Sequence, residues 1–208
     1  MARTLPAAFF ARDPRRVARD LLGKLLVRRR GRKRIVGRIV EVEAYLGSGD
    51  AAAHAAAGIT ARNRVLFGPP GHAYIYFIYG NHYCLNVSCQ PGGQAGCVLV
   101  RALEPLEGLA QMARARGLRL PDAALDGPAS PRLLRQLTSG PGRLCEAFGI
   151  TRARDNGRDL TSPASSLHLA GDGYHPLRIL TTARIGIRKA ADRRLRFVIA
   201  GNPFVSGK

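Results

Sequence analysis

The chain has 208 residues, of which 46% are hydrophobic and 23% are charged. This length and this apolar share are typical of one globular domain, and they exclude an intrinsically disordered chain, a collagen-like repeat and a disulfide-stapled miniprotein. The apolar runs are shorter than the roughly 20 residues that a membrane helix needs, and the N-terminus lacks the apolar segment of a signal peptide. We therefore expect a soluble intracellular protein organised as a single domain over residues 1–208.

The chain carries a large excess of positive charge. It has 33 basic and 14 acidic residues, for a net charge of +19, and only four of the basic residues are lysine. A GC-rich genome would explain arginine in place of lysine, but not the excess of base over acid. Such an excess indicates a polyanionic partner, either nucleic acid or an anionic membrane surface. Nucleic acid is favoured because no basic amphipathic helix with Trp or Phe on its apolar face is evident.

In chain order, the first predicted element is a helix that begins after Asp13. Aspartate is a favoured N-cap, Pro14 suits the first turn, and Gly23 suits the C-terminal end. Apolar, β-branched and aromatic runs then predict strands at 24–28, 34–45, 74–79, 83–89, 97–103, 177–180, 185–188 and 195–199. A second helix is predicted to open at Glu104-Pro105 and to continue to about residue 115, and a third covers 141–148. Residues 29–33 are predicted to form a basic turn, and 116–131 a surface loop.

Most of these strands are separated by short turns rather than by regular helices, which is typical of an antiparallel sheet. We therefore predict the α+β class: a single domain with a mostly antiparallel, curved β core and flanking helices. The four cysteines, at positions 84, 89, 97 and 145, lack the spacing of a zinc site, and we predict that they are reduced and structural.

Two carboxylates stand near the end of the second predicted strand. Because side chains alternate along a strand, Glu41 and Glu43 share one face. On local sequence alone, the favoured interpretation is a pair of exposed acids that neutralise nearby arginines. The alternative is a site of proton abstraction beside an aromatic ring, because Tyr45 and His54 follow closely.

Aromatic residues are concentrated in one part of the chain. Five of the six tyrosines lie between Tyr45 and Tyr83, and the run 74–80 reads YIYFIYG. Ordinary core aromatics are the default interpretation of such a run. In a strongly basic chain without tryptophan, clustered aromatics are also how stacked or flipped bases are held.

Seven segments follow one another in a distinctive order: GRIVEVEAYLG, AAHAAAGITARN, FGPPGHAYIYFIYGNHYCLNV, CVLVRALEPLEG, GPGRLC, RIGI and FVIAGNPFVSG. Together they resemble the alkyladenine (3-methyladenine) DNA glycosylase family of vertebrates and many bacteria, over about residues 5–207. The resemblance implies a monomeric, single-domain α+β enzyme without metal or cofactor. It implies excision of alkylated or deaminated purines (3-methyladenine, 7-methylguanine, hypoxanthine, ethenoadenine) from double-stranded DNA, leaving an abasic site. A cytoplasmic, nucleoid-associated location in a bacterial-type cell and no membrane partner follow as expectations.

The resemblance also assigns chemical roles by position. Glu43 in VEVEAY matches the general base that activates the water attacking C1′ of the flipped nucleotide. Arg101 in VLVRALEP and the carbonyl of Val100 match the groups that hold this water. Glu41 lies in the same motif but receives no chemical role.

The binding residues are assigned in the same way. Tyr45 matches one stacking face of the base pocket, and His54 and Tyr76 match the opposite side. Tyr79 in IYG matches the wedge that enters the duplex where the nucleotide left. Asn86 in CLNV matches the residue that excludes the amino group of normal guanine.

Two other function classes remain open from the sequence. A non-catalytic nucleic-acid-binding domain would share the charge and the aromatic residues, but it would have no need for Glu43, His54 and Arg101 together. An RNA-processing enzyme would be distinguished by competition between DNA and RNA duplexes. The stretch 122–135 matches no pattern of the family, and Leu66 stands where methionine is common.

Overall fold

The computed structural model of the protein describes residues 2–78, 80–122, 124 and 130–207. Within these ranges, nine strands form one open antiparallel sheet, and six α-helices accompany it. The strands are β1 (Arg3–Thr4), β2 (Leu25–Arg30), β3 (Lys33–Tyr45), β4 (Ala73–Ile78), β5 (His82–Cys89), β6 (Gly96–Glu107), β7 (Leu167–Gly171), β8 (Ile179–Thr182) and β9 (Arg196–Ile199). The helices are α1 (Ala7–Phe10), α2 (Pro14–Leu21), α3 (Leu109–Ala115), α4 (Pro131–Thr138), α5 (Pro141–Phe148) and α6 (Arg152–Asp155). The predicted α+β class is confirmed.

Strand β3 is the centre of the sheet. The strand order is β1-β7-β2-β3-β6-β5-β4, and β9 joins β3 beyond the end of β2 and pairs with β8 on its other side. The pairing of β3 with β6 shifts register around Ile39–Val42, as expected of a β-bulge, which bends a strand. The second half of β3 is therefore enclosed between β6 on one edge and β9 on the other.

Helix α2 forms as the sequence predicts. The side chain of Asp13 accepts a hydrogen bond from the backbone N–H of Arg15, and Pro14 occupies the first turn. Val17 and Leu21, four residues apart, lie on the buried face of the helix.

The predicted helix start at Glu104-Pro105 is wrong, because β6 continues to Glu107 and α3 begins only at Leu109. At that end, β6 pairs with β3 on one edge, whereas its pairing with β5 stops at Leu99. A proline is tolerated in a strand whose edge is free, since its missing N–H is not needed there. Gly108, with a φ of 82°, then turns the chain into the helix.

Other element boundaries also differ from the sequence prediction. Residues 185–188 are not a strand, and strands β1 and β7 and helices α1, α4 and α6 were not predicted. The basic turn is shorter than expected, because β2 runs to Arg30 and β3 begins at Lys33, around Gly31 with a φ of 58°. In the predicted loop 116–131, residues 123 and 125–129 lie outside the described residues.

The two faces of the sheet have different neighbours. Residues such as Val42, Val98 and Leu85 pack into the main hydrophobic core together with α2, α3, α4 and α5. The opposite face carries a smaller cluster around Tyr74 and Cys97. All four cysteines are buried free thiols, as predicted. None of the described helices is both long and apolar enough to cross a membrane.

Candidate active site

One row of side chains crosses four neighbouring strands. Glu43 on β3 pairs with Leu99 on β6, Leu99 pairs with Asn86 on β5, and Asn86 pairs with Tyr74 on β4. Directly paired residues in antiparallel strands present their side chains on the same face. The register of the sheet therefore collects residues from three of the sequence segments on one surface.

Above this surface lies a cavity of about 400 Å³. Its size falls in the ~300–1,000 Å³ range of small-molecule sites. Its lining is mainly apolar and aromatic: Tyr45, Ala52, His54, Tyr74, Tyr76, Ile78, His82, Cys84, Asn86, Cys97, Leu99, Arg101, Pro141, Ile185, Gly186 and Ile187. Five of the eight residues predicted for the site, namely Tyr45, His54, Tyr76, Asn86 and Arg101, are in this lining.

Glu43 is fully buried immediately behind the cavity wall. Its Oε2 accepts a hydrogen bond from the Tyr45 hydroxyl at 2.9 Å, and its Oε1 accepts one from the backbone N–H of Ile185 at 2.8 Å. Nη1 of Arg101 lies 3.2 Å from Oε1. An ionised carboxylate has about four acceptor sites. Two hydrogen bonds and one ion-pair contact therefore leave acceptor capacity on Glu43 for a further donor, such as water.

Glu41 is also fully buried, so the interpretation of the two acids as exposed is wrong. Oε1 of Glu41 accepts hydrogen bonds from Nε of Arg101, Nε of Arg196 and the Ser206 hydroxyl, at 2.7–2.9 Å. Its Oε2 accepts one from the Ser206 backbone N–H at 2.5 Å. Three of these four hydrogen bonds come from Arg196 and Ser206, which do not line the cavity. The two acids are thus distinguished by their partners rather than by burial.

Arg101 connects the two carboxylates. Its Nε binds Glu41 while its Nη1 faces Glu43, and the side chain lines the cavity. Burial lowers the pKa of Arg101, but the charges of Glu43 and Glu41 outweigh burial, and the net effect is a raised pKa. The guanidinium is therefore a permanent positive charge at the cavity wall.

One wall of the cavity is a cluster of three rings. The ring of His54 lies edge-on to Tyr76, with centroids 4.5 Å apart, and Nδ1 of His54 is 2.9 Å from the Tyr74 hydroxyl. Tyr74 and Tyr76 have centroids 5.8 Å apart. Burial, and then the nearby charge of Arg62, lower the pKa of His54. The imidazole is consequently neutral at pH 7.

Tyr45 forms a separate part of the wall. Burial and the neighbouring Glu43 carboxylate raise the pKa of Tyr45, so that its hydroxyl remains a hydrogen-bond donor to Glu43. The guanidinium of Arg184 lies over the ring, 4.6 Å from its centroid. Arg184 does not line the cavity. It therefore supports Tyr45 from outside the cavity.

Asn86 is 2% exposed and is held by two neighbours. Its Nδ2 donates to the carbonyl of Tyr74 at 3.2 Å, and the Cys97 thiol donates to its Oδ1 at 3.8 Å. Burial raises the pKa of Cys97 to about 12, which keeps the thiol protonated. The orientation of the amide in the cavity wall is thereby defined.

The remaining predicted residues have different positions. The side chain of Val100 belongs to the main hydrophobic core, on the face of β6 opposite to the cavity. That the carbonyl of Val100 holds the attacking water remains a prediction. Tyr79, the predicted wedge, lies outside the described residues.

Sequence reasoning missed part of the site. It gave no role to Tyr74, although the YIY alternation places it beside Tyr76. It also overlooked the Arg184–Asp50 ion pair and the Ile185 N–H, which come from the RIGI motif and the turn after Tyr45. The motif RIGI was a usable signal, but its contact with Glu43 spans 142 residues. No group of three or more metal-ligating side chains occurs within the described ranges.

Comparison with known proteins gives a consistent result. The sequence matches the family described as methylpurine-DNA glycosylase (MPG) over residues 8–203. A protein of Koribacter versatilis named "Putative 3-methyladenine DNA glycosylase" is 60% identical over 204 residues, which cover 98% of this chain and 93% of that protein. Proteins of the same name from Methanoculleus marisnigri and Burkholderia cenocepacia are 49% and 46% identical. Each alignment covers 98% of this chain, and 98% and 91% of the respective relative.

The family match covers nearly the whole chain, and these relatives align with 98% of it. The family resemblance predicted from the seven sequence segments is confirmed. The chain belongs to the methylpurine-DNA glycosylase family and is a DNA glycosylase.

Proposed function

We propose that this protein flips a damaged purine out of duplex DNA into the cavity and hydrolyses its N-glycosidic bond with a water that Glu43 activates. The observation that carries this proposal is the environment of Glu43. The carboxylate is fully buried behind an aromatic cavity, its partners Tyr45, Ile185 and Arg101 all line that cavity, and its two hydrogen bonds leave acceptor capacity open.

The chemistry follows from these groups. Glu43 takes a proton from the water, the water oxygen bonds to C1′, and the C1′–N bond breaks with its electron pair leaving on the purine. The sugar passes through an oxocarbenium-like state, whose positive charge the buried carboxylate stabilises. Alkylation at N3 or N7 already makes the base cationic, so it leaves as a neutral purine.

The attacking water requires further contacts. We assign one to Arg101, whose Nη1 faces Glu43 and whose side chain lines the cavity. The carbonyl of Val100 is the backbone acceptor that the family resemblance implies. The segment 185–187 offers an alternative, because it lines the cavity and its Ile185 N–H already binds Glu43.

The flipped base is proposed to stack between Tyr45 and the ring cluster of His54 and Tyr76. Electron-rich ring faces favour cationic purines through cation–π attraction, worth about 0.5–2 kcal/mol. A neutral His54 avoids repulsion with such a base, and its lowered pKa supports this role. Asn86 in the wall is proposed to exclude the 2-amino group of guanine.

The substrates proposed are the alkylated and deaminated purines 3-methyladenine, 7-methylguanine, hypoxanthine and ethenoadenine in double-stranded DNA. The relatives' name supports the first of these. Damaged bases that pair or stack weakly cost less to flip, which contributes to selectivity. Tyr79 is proposed to fill the vacated space in the duplex.

Exposed basic residues near the cavity are suited to phosphate contacts. Arg62 lies over the edge of the ring cluster, 5.9 Å from the Tyr76 centroid. Arg143 and Arg188 are exposed. In the sequence they come one or two residues after Ile187 and Pro141, which line the cavity. Such contacts hold DNA without reading its sequence. We propose that the protein acts as a monomer on DNA in the cytoplasm, in association with the nucleoid.

A panel of duplexes, each with one damaged purine, tests this proposal through release of the free base. Glu43→Gln keeps the shape of the side chain but cannot accept the proton, so we expect base release to fall by about 10²–10⁴-fold. Binding to lesion DNA should remain within a few-fold of the wild type. Near-normal single-turnover rates in Glu43→Gln would remove Glu43 from the mechanism.

Water, rather than an amine, is the proposed nucleophile. None of the described residues that line the cavity is a lysine, although Lys189 is two residues from Ile187. Borohydride should therefore trap no covalent adduct between enzyme and DNA. A trapped adduct that disappears in Lys189→Gln would instead show Schiff-base chemistry.

A further inference from the structure

The most deeply buried ion pair beside the cavity joins Arg184 to Asp50. Both side chains are fully buried, and the two hydrogen bonds between them measure 2.5 and 2.8 Å. Arg184 comes directly before the cavity-lining segment 185–187, and Asp50 lies in the turn that follows Tyr45. The pair therefore bridges two segments that are 134 residues apart in the sequence.

Each partner of the pair also contacts a different part of the cavity wall. Arg184 donates to the carbonyl of Ala44 at 3.1 Å, and its guanidinium supports the ring of Tyr45. Asp50 accepts hydrogen bonds from the backbone N–H groups of Leu46 and Ala52, both at 3.2 Å. Ala52 lines the cavity. One ion pair thus connects three parts of the site: the end of β3, the turn that follows it and the segment 185–187.

The same pair controls a contact with Glu43. Because Ile185 follows Arg184 directly, the position of Arg184 determines where the Ile185 N–H lies. That N–H donates to Glu43 at 2.8 Å. The ring of Tyr45, which Arg184 supports, carries the hydroxyl that binds the other oxygen of Glu43. Both hydrogen bonds to Glu43 therefore depend on Arg184.

Stability is a weak explanation for such a pair. Removing two charges from water carries a desolvation penalty that can exceed their attraction, so apolar residues of similar size would often hold these segments equally well. Unlike apolar packing, the planar guanidinium of Arg184, paired with the carboxylate of Asp50, defines the direction of each hydrogen bond.

We infer that Arg184 and Asp50 are positioning residues, which fix the ring of Tyr45 and the carboxylate of Glu43 relative to the base and to the attacking water. This inference deepens the proposed function and rests on it. The pair touches neither the water nor the base and acts through Tyr45, Ile185 and Ala52.

The test uses a double variant that removes both charges together, Arg184→Met with Asp50→Leu. A second buried pair provides the matched control, because Arg28 binds Asp155 through two hydrogen bonds of 2.9 and 2.7 Å at 2% and 0% exposure. Asp155 also accepts a hydrogen bond from the backbone N–H of Thr151, just as Asp50 accepts one from the backbone N–H of Leu46. Arg28 and Asp155 do not line the cavity. The control is Arg28→Met with Asp155→Leu.

Two measurements are made on both double variants and on the wild type. The first is single-turnover base release from duplex DNA with excess enzyme. We expect the Arg184/Asp50 variant to be about 100-fold slower than the control at equal folded fraction, since a displacement of about 1 Å can cost that much. The second is hydrogen exchange of the Ile185 amide in the free protein, which should lose protection only in the Arg184/Asp50 variant.

Arg184→Lys serves as a second variant in case the double variant does not fold. It keeps the charge but loses the planar fork, so base release should remain slow while the melting temperature stays close to that of the wild type. Full activity in Arg184→Lys, or equal Ile185 exchange in both double variants, would overturn the inference. A wild type that releases no base would contradict the proposed function, whereas the exchange measurement would still decide the positioning role.

Discussion

At the scale of single residues, the site depends on how two similar side chains differ. Glu41 and Glu43 are two positions apart on one strand, are both fully buried and both contact Arg101. Glu41 receives four hydrogen bonds, three of them from Arg196 and Ser206, which do not line the cavity. The two hydrogen bonds to Glu43 come from Tyr45 and Ile185, which do line it. Availability for a proton is therefore decided by the neighbours of each carboxylate.

Asn86 allows a prediction about specificity. Its amide is held in the cavity wall by Tyr74 and Cys97, where it can crowd the 2-amino group of guanine or leave that group without a partner. A buried group without a partner costs roughly 1–3 kcal/mol. Asn86→Ser should therefore increase the release of guanine, most strongly from mismatches, while hypoxanthine release is largely kept.

The measurement for Asn86 is the ratio of guanine to hypoxanthine release from matched duplexes. A purely structural role of Asn86 predicts equal losses on both substrates together with a lower melting temperature. An unchanged ratio would therefore exclude the discriminating role.

At the scale of elements, the turn after β3 connects the cavity wall to the Arg184–Asp50 ion pair. Its second residue, Gly47, has a φ of 84° and packs against the backbone of Ala95. The turn continues to Asp50 and Ala52, which connect it to Arg184 and to the cavity. Close packing of this turn therefore influences both the ion pair and the wall.

Gly47→Ala tests this packing. A Cβ at position 47 would overlap the carbonyl oxygen of Ala95, and the backbone is in the left-handed region. We expect a loss of about 1–2 kcal/mol from the backbone conformation and about 1–3 kcal/mol more from overpacking. Denaturation by urea measures the difference.

The control for this substitution is Gly58→Ala. Gly58 has a similar φ of 90°, but a Cβ there would meet nothing within 4 Å. It should therefore show only the backbone cost. Equal losses in the two variants would mean that the Ala95 contact does not constrain the turn.

At the scale of the whole molecule, the ionisable groups make stability depend on pH in one direction. Burial lowers the pKa of His54 and His168 in the folded protein; the charge of Arg62 adds to this at His54, and at His168 burial outweighs a hydrogen bond at Ser165 that acts to raise the pKa. For Asp50, burial acts to raise the pKa, but the hydrogen bonds from Arg184 and the backbone outweigh it and the pKa is lowered. Arg38 lowers the pKa of Asp172.

We predict that stability falls steadily as the pH is lowered from about 7 to about 3. Each of these groups binds its proton less readily in the folded than in the unfolded state, so protons favour unfolding. The histidines contribute as the pH falls below their unfolded pKa of about 6.5, and the carboxylates below about 4. Urea midpoints at several pH values measure this, and His168→Gln should flatten the upper part of the curve. Stability that rises between pH 7 and 5 would contradict the prediction.

Much of the architecture could be predicted from local patterns. The cap at Asp13 and Pro14 specified helix α2, and the β-branched and aromatic runs located β3, β4 and β5 to within a few residues. These features depend on neighbours in the sequence, where propensity and alternation act directly. The family could be recognised for a related reason, because its motifs are continuous stretches of sequence.

Strand β6 and the motif RIGI are two places where local sequence patterns did not predict the structure. Proline at 105 suggested a helix start, but the free edge of β6 permitted a strand. Residues 185–188 have strand-like composition, yet the segment is irregular and is held by hydrogen bonds from Arg184 and Ile185 to β3 and to the turn after it. In both cases the outcome depended on contacts, or their absence, with segments distant in the sequence.

The order of the motifs was enough to identify Glu43, Arg101 and the aromatic residues as candidates. Only the tertiary structure showed that Ser206 binds Glu41, that the guanidinium of Arg184 lies over the ring of Tyr45 and that Ile185 binds Glu43. Each of these facts joins parts of the chain that lie 139 to 165 residues apart. The burial and hydrogen bonding of a carboxylate depend on which distant segments pack around it, and the local pattern of residues carries no information about that packing.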